Sequence, residues 1–142
     1  MKPDPKTKSE YFYFETYSTR WRDNDSYGHM NNVVYYEFAD SLVNNWLRSS
    51  GALNVPNSKV IGLVAETKCN YFVPLAYPFP VTCGLALSHK GNSSVTFNVG
   101  LFEAKSEKTA AYISFVHVYV QSGSYLPTKL PESLEEALKK LT

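Results

Sequence analysis

A single change in hydrophobic period divides this chain into one long helical segment and several strand-like segments. After Asn32, apolar side chains recur at the i, i+3, i+4, i+7 spacing that defines one face of a helix. They are Tyr35, Tyr36, Ala39, Leu42, Val43, Trp46 and Leu47, with Val33, Val34 and Phe38 widening the stripe. Gly51 stands where a glycine commonly ends a helix. The pattern predicts a long central helix that is covered over much of its surface.

Apolar runs on both sides of this helix predict five strands. They cover residues 11–21, 60–72, 81–90, 94–102 and 109–121, separated by prolines, a Gly-Asn pair and a polar tract. Residues 131–141, with glutamates early and lysines late, predict a short closing helix. Short connections between the later strands favour one antiparallel sheet. The order of elements indicates an α+β fold with the long helix on the concave face of the sheet.

Length and composition exclude several classes of protein. The 142 residues fit one domain, which we expect to span residues 1–142 with a flexible leader over residues 1–10. A net charge of +1 is far from the basic excess of nucleic-acid-binding proteins, so we expect no nucleic acid partner. No apolar run approaches the ~20 residues that span a bilayer, and the leader lacks the apolar stretch of a signal sequence. We therefore expect a cytoplasmic protein without a membrane span.

The segment richest in chemical groups joins the first strand to the long helix. Residues 22–32 read RDNDSYGHMNN and contain two carboxylates, an imidazole, a glycine and several amides. The N-terminus of the following helix adds unpaired backbone N–H groups and the positive end of a dipole. Such a junction can bind an anion, so we weigh three interpretations of it.

The first interpretation is a calcium-binding loop. Asp23, Asp25 and Gly28 occupy positions one, three and six of an EF-hand loop. Tyr27 at position five and Val34 at position twelve replace oxygen ligands that the loop requires, and a strand rather than a helix precedes it. We therefore expect no calcium, and with only two cysteines in the chain we expect no other metal site.

The other two interpretations are structural and catalytic. Asp and Asn cap helices and stabilise turns, and Gly supplies positive φ, so a strand-to-helix loop explains several of these residues. Alternatively, a carboxylate that Tyr27 and the aromatic first strand partly shield attacks a carbonyl or directs a water, while helix N–H groups hold the oxyanion. No serine-hydrolase elbow, phosphate loop, dinucleotide fingerprint or zinc-protease motif is present in the sequence. The residues alone leave both interpretations open.

Residues 23–35 follow the pattern D-x-D-x-x-G-H-x-N-N-x-x-Y, which resembles the signature of hotdog-fold acyl-CoA thioesterases of the 4-hydroxybenzoyl-CoA thioesterase type. Segments 64–66, 71–74, 91–97, 111–120 and 130–131 resemble later parts of the same family, so the similarity extends over residues 10–140. It implies a long helix wrapped by a five-stranded antiparallel sheet. It also implies a homodimer, often paired into a homotetramer, with active sites at the dimer interface.

The resemblance also implies roles for the motif residues. Asp25 corresponds to the catalytic nucleophile or general base, and the Asn32 backbone N–H to the group that polarises the thioester carbonyl. Gly28, His29 and Asn31 belong to the signature as groups that shape the substrate site. The implied reaction hydrolyses an acyl-CoA to the free acid and CoA, with no cofactor other than the CoA of the substrate. A non-catalytic hotdog module that binds acyl groups or serves in assembly is the alternative, and a dehydratase is disfavoured because its histidine is usually placed differently.

Other polar residues are expected to be structural. Asp23 is interpreted as a turn residue. His89 and His117 fall in strands with no acidic or cysteine partner nearby in sequence. Glu66 lies on a strand, whereas hotdog branches that use a glutamate take it from the helix. Lys90, beside a hairpin turn, resembles basic residues that meet CoA phosphates in some relatives, although a solvated lysine is the simpler expectation.

Overall fold

The helices and strands follow the predicted order along the chain. The computed structural model describes residues 3–55 and 57–142, so the first two residues of the predicted leader lie outside the described residues. The strands are β1 (Tyr13–Tyr17), β2 (Val60–Tyr71), β3 (Val81–Lys90), β4 (Ser94–Glu103) and β5 (Ala111–Gln121), and the helices are α1 (Asn32–Ser49) and α2 (Glu132–Leu138).

The five strands form one antiparallel sheet in the order β1-β3-β4-β5-β2. β3, β4 and β5 are the meander expected from the short turns between them. β1 pairs with β3 at one edge, and β2 pairs with β5 at the other. The predictions of a five-stranded antiparallel sheet and of the α+β class are confirmed.

Helix α1 lies against one face of this sheet and supplies the centre of the core. Its fully buried side chains are Ala39, Leu42 and Val43. Trp46 packs edge-on against Phe97 of β4, with 5.7 Å between the ring centroids. The helix ends at Ser49, two residues before Gly51, so the predicted central helix is confirmed. Neither this helix nor any other in the described part of the chain is long and apolar enough to cross a membrane.

The first strand is shorter than the predicted residues 11–21. β1 contains only five of them. Tyr11 lies on the face of the sheet away from α1, where its hydroxyl donates to Asn98. Trp21–Asp23 form a short 3₁₀ turn that leaves Trp21 81% exposed. The alternation of aromatic residues predicts too long a strand, because alternation alone does not indicate where the pairing with β3 ends.

The leader is in contact with the sheet from Lys6 onward. The Thr109 N–H donates to the Lys6 carbonyl at 2.8 Å, and the Lys8 N–H donates to the Glu107 carbonyl at 3.0 Å. These bonds hold this part of the leader beside the connection between β4 and β5.

The two edges of the sheet differ in length and exposure. β1 has five residues, whereas β2 has twelve. Six consecutive residues of β2, numbers 63–68, are exposed, and no strand in residues 3–55 or 57–142 pairs with the outer side of β2. An exposed strand edge presents backbone N–H and C=O groups to any strand that can pair with it. β2 is therefore the edge of the fold most open to pairing with another chain.

Candidate functional site

The motif residues form a tight turn directly before α1. The Asp25 N–H donates to the His29 carbonyl at 2.7 Å, and the Gly28 N–H donates to the Asp25 carbonyl at 3.1 Å. Gly28 has φ 78°, in the left-handed region, which costs other L-residues about 1–2 kcal/mol. The glycine of the motif therefore allows the turn to close, and the turn places Asp25 at the surface.

The Asp25 carboxylate is held by one oxygen and open at the other. Oδ1 accepts hydrogen bonds from the backbone N–H groups of Tyr27, at 2.8 Å, and His29, at 3.2 Å. Within the described ranges, Oδ2 has no hydrogen-bond partner. A carboxylate fixed in this way has one oxygen free to attack a carbon or to take a proton from water.

The first turn of α1 presents a free backbone donor at the same junction. Asn31 is the N-cap of the helix, and its side-chain oxygen accepts the Val33 N–H at 3.2 Å. The Asn32 N–H has no partner among residues 3–55 and 57–142. The side-chain oxygen of Asn32 accepts a hydrogen bond from the Tyr71 hydroxyl, which anchors this residue to the end of β2. A free N–H at the positive end of a helix dipole can stabilise an oxyanion.

Asp23, the other carboxylate of the motif, is structural in its contacts. Its side chain is 2% exposed and forms a salt bridge with Arg20, whose Nη2 lies 2.8 Å from Oδ1. The Arg20 backbone N–H also donates to Oδ2 at 2.8 Å. Burial opposes ionisation of Asp23, but the hydrogen bonds and charge of Arg20 outweigh it and hold the pKa of this carboxyl below its usual value. With both oxygens engaged by Arg20, Asp23 stabilises the turn through its salt bridge and hydrogen bonds.

The segment between β2 and β3 braces the turn from the other side. The Met30 N–H donates to the Leu75 carbonyl at 2.6 Å, and the Tyr77 N–H donates to the side-chain oxygen of Asn24 at 3.0 Å. The sequence analysis treated the prolines of this segment only as a break between strands and missed these contacts. It also missed Tyr71, because no local spacing indicates which side chain meets Asn32.

The expected shielding of Asp25 is wrong for the single chain. Tyr27 is 85% exposed, and Asp25 itself is exposed. Asp25 lines an open groove of about 390 Å³ together with Trp21 and Arg22. The shield fails because β1 ends at Tyr17, so the aromatic strand does not reach the turn.

The remaining polar residues lie away from the turn. His117 is buried in the core, whereas His89 and Glu66 are exposed on strands. Lys90 forms a salt bridge with Glu135, with 3.3 Å between Nζ and Oε1. In the described part of the chain, no group of three or more His, Cys, Asp or Glu side chains is placed to hold a metal ion.

Comparison with known proteins shows which family this chain belongs to. The model of the thioesterase-like superfamily matches residues 19–138. Among solved structures, the PA5185 protein from Pseudomonas aeruginosa strain PAO1 is similar over 98% of this chain and 97% of its own, with 41% identity and a TM-score of 0.93. Among proteins with curated descriptions, none matches this chain significantly.

Two more distant structures share the fold. Slr0204, a 1,4-dihydroxy-2-naphthoyl-CoA thioesterase from Synechocystis, has 15% identity and a TM-score of 0.80, over 90% of this chain and 96% of its own. The SAV2348 protein from Staphylococcus aureus, determined in complex with CoA, has 15% identity and a TM-score of 0.81, over 100% of this chain and 89% of its own. At such low identity, these likenesses establish the fold alone.

Proposed function

Because this chain belongs to the thioesterase-like superfamily and is a thioester hydrolase of the hotdog fold, we propose that its substrate is an acyl-CoA, hydrolysed to the free acid and CoA. The observation that carries the proposal is Asp25, anchored by Oδ1 and open at Oδ2, directly before a helix whose Asn32 N–H is free. A protein of the same fold binds CoA, and another is named as a CoA thioesterase. Both support CoA as the thiol of the substrate.

Asp25 has two routes to the product. As a general base, its Oδ2 takes a proton from water, and the water oxygen bonds to the thioester carbonyl carbon. As a nucleophile, Oδ2 itself bonds to that carbon, and water then hydrolyses the resulting anhydride. In both routes the carbon–sulfur bond breaks and the CoA sulfur leaves with the bonding electron pair and takes up a proton. Neither route needs an electron acceptor, and Asp25 and the Asn32 N–H supply the base or nucleophile and the carbonyl polarisation, so we propose that no metal or cofactor takes part besides the CoA of the substrate.

The surrounding motif residues position these groups. In either route the thioester carbonyl oxygen becomes negative, and we propose that the Asn32 N–H donates to it. Gly28 allows the turn, the His29 backbone holds Asp25, and Asn31 caps the helix that presents Asn32. We propose that these three residues shape the substrate site rather than exchange protons with the substrate.

We propose that the complete enzyme is a homo-oligomer, either a dimer or a tetramer formed by two dimers. The long outer side of β2 is unpaired within the described residues, and the groove beside Asp25 is open to solvent. A second copy that pairs along β2 satisfies the strand edge and covers one side of α1. A cytoplasmic location stays a prediction of the sequence.

The central test is Asp25→Asn. We expect thiol release from acyl-CoAs to fall by about 10²–10⁴-fold, since the amide neither attacks the carbonyl nor takes a proton. Circular dichroism and acyl-CoA binding should stay close to those of the wild type, because an amide oxygen still accepts the Tyr27 and His29 N–H groups. Asp4→Asn, the same change at an exposed carboxylate in the leader, is the matched control and should retain activity.

Two outcomes contradict the proposal in different ways. If Asp25→Asn keeps the wild-type kcat/KM, the catalytic residue is assigned wrongly. If the wild type binds acyl-CoAs and hydrolyses none of a broad panel, the chain is a non-catalytic acyl-binding module.

A further inference from the structure

The groove beside Asp25 contains a cationic side chain for which the proposed reaction has no role. The groove has a volume of about 390 Å³, and Trp21, Arg22 and Ser26 line it together with Asp25. Arg22 comes three residues before Asp25, and three residues of chain span at most about 11 Å. The guanidinium and the reacting carboxylate therefore face the same small, open groove.

Arg22 carries a charge that is not used elsewhere in the fold. It is exposed, and within residues 3–55 and 57–142 it forms no hydrogen bond or ion pair of its own. The nearby Asp23 carboxylate is affected by its charge, but both oxygens of Asp23 are bonded to Arg20. Arg48 is also engaged, because it donates to the side chain of Asn45. Arg22 therefore keeps its fork of N–H donors for an anionic ligand.

The short 3₁₀ turn that carries Arg22 is fixed by its neighbours. The Asn24 N–H donates to the Trp21 carbonyl at 3.3 Å, and the Asn24 side-chain oxygen accepts the Tyr77 N–H at 3.0 Å. The Tyr77 ring stands edge-on to that of Trp21, with 6.1 Å between the centroids. Because these contacts hold the turn before any ligand arrives, binding at Arg22 does not require the backbone to become ordered.

Trp21 and Ser26 add apolar surface and a neutral donor to the same groove. The Trp21 side chain is 81% exposed although Tyr77 holds one of its edges, so its ring can cover the carbon chain of a ligand. The Ser26 hydroxyl is exposed and has no hydrogen-bond partner in the described part of the chain. The groove thus combines a cation, a hydroxyl and an aromatic wall with the carboxylate of Asp25.

An anionic group of an acyl-CoA has two sources, the phosphates of CoA and the acyl group. The long pantetheine arm separates the phosphates from the thioester, whereas the acyl group begins at the carbonyl carbon beside Asp25. Arg22 shares a small groove with Asp25, so the acyl group is the nearer source. An acyl carboxylate in this groove is repelled by Asp25 unless a cation pairs with it, and Arg22 provides that cation.

We propose that Arg22 is a specificity-determining residue that binds a carboxylate at the far end of a short acyl group, while Trp21 covers the carbons in between. The proposal rests on the proposed function and adds the class of acyl group, the mono-CoA thioesters of dicarboxylic acids. A carboxylate accepts two parallel N–H bonds from a guanidinium. A chain that ends in a methyl group leaves the guanidinium in water and gains nothing from it.

The test compares glutaryl-, adipoyl- and suberoyl-CoA with pentanoyl-, hexanoyl- and octanoyl-CoA, the unsubstituted thioesters of the same chain length. For the wild type we expect kcat/KM to favour the carboxylated member of the best-fitting pair by about 10- to 100-fold. Arg22→Gln should reduce that ratio to one or below, because Asp25 then repels the carboxylate. Its kcat/KM for the unsubstituted member should change less than about threefold, since that chain makes no ion pair.

Three further variants show whether charge, geometry or the aromatic wall is responsible. Arg22→Lys should keep only part of the preference, because an ammonium group does not form the bidentate pair. Trp21→Ala should lower kcat/KM for both members of a pair, because both carbon chains lose the same wall. Arg48→Gln, the matched substitution at the far end of α1, should leave the ratio unchanged.

The outcomes separate this inference from the proposed function. Turnover without a preference, or a preference that Arg22→Gln leaves intact, overturns the inference alone. An equal rise in KM for both members shows that Arg22 binds a phosphate of CoA, which also overturns it. If the wild type hydrolyses no acyl-CoA, calorimetry compares the binding of each pair to the wild type and to Arg22→Gln. Stronger binding of the carboxylated member that requires Arg22 then contradicts the proposed function and supports the carboxylate site, whereas equal binding contradicts both.

Discussion

Replacing Asp23 with asparagine tests how much this carboxylate stabilises the turn, separately from the catalytic role proposed for Asp25. The carboxylate is 2% exposed and accepts hydrogen bonds from the Arg20 backbone N–H at 2.8 Å, from Nε at 3.0 Å and from Nη2 at 2.8 Å. Asparagine keeps one acceptor oxygen and turns an NH₂ group toward these donors. The variant therefore loses both the charge and part of the hydrogen bonding while keeping the size of the side chain.

The expected cost follows from the exposure of the two partners. Breaking a fully buried ion pair costs about 3–5 kcal/mol, whereas an exposed pair is worth under about 1 kcal/mol. Arg20 is 44% exposed, so the pair lies between these limits and we expect a loss of about 2 kcal/mol. With an unfolding entropy of about 2.1 cal/mol/K per residue over 142 residues, this lowers Tm by roughly 7 °C.

The stability difference between wild type and Asp23→Asn should become smaller at low pH. The folded pKa of Asp23 is below its unfolded value, so its contribution is fully present above the unfolded pKa of about 3.9 and is lost as the pH falls through the folded pKa. In thermal unfolding followed by circular dichroism, the Tm gap between wild type and Asp23→Asn should be constant from about pH 7 to 5 and narrow below about pH 4.

Glu37→Gln is the matched control, because Glu37 is the exposed second partner of Arg20 at 3.3 Å. It should cost under about 1 kcal/mol. If both variants cost the same, or if the Tm gap persists undiminished at low pH, the buried ion pair is not what stabilises the turn. If Asp23→Asn abolishes turnover while Asp25→Asn does not, the roles of the two carboxylates are reversed.

Three further predictions concern other parts of the molecule. Val64→Glu, which places a charge on the exposed edge of β2, should reduce the molar mass of the particle measured by light scattering. The control Thr16→Glu, on the other edge strand β1, should leave that molar mass unchanged. Equal molar masses for the two variants contradict pairing along β2. Gly28→Ala, at φ 78°, should cost about 1–2 kcal/mol in stability by thermal unfolding. It should also lower kcat/KM at least tenfold, and an unchanged kcat/KM shows that the turn does not set the position of Asp25. Lys90→Ala should change KM for an acyl-CoA less than about fivefold, since the lysine is already paired with Glu135, and a larger rise in KM indicates that it binds CoA phosphate.

The sequence predicts those parts of the fold that depend on local pattern. The helical stripe before Gly51, the meander of β3 to β5 and the turn at Gly28 are all found where spacing and turn chemistry indicate them. The end of β1 and the contacts of residues 71–77 with the motif turn were not predicted, because they depend on which strand and which loop lie alongside. The surroundings of His117 and Tyr119 were not predicted for the same reason: alternation places both buried residues on the inner face of β5 but does not show what they contact there.

Two exposed features of the single chain, the Asp25 groove and the outer side of β2, are connected through α1. Val33 in the first turn of this helix is 68% exposed, so this end of α1 presents apolar surface to solvent. Electrostatic stabilisation of an oxyanion by a helix N–H is strongest where water is excluded, and the single chain does not exclude it. We therefore propose that catalysis requires cover by a second copy along β2 and α1. On this argument, Val64→Glu should lose activity in parallel with mass when the protein is diluted. A dissociated variant with full wild-type kcat/KM would show that one chain alone forms the complete site.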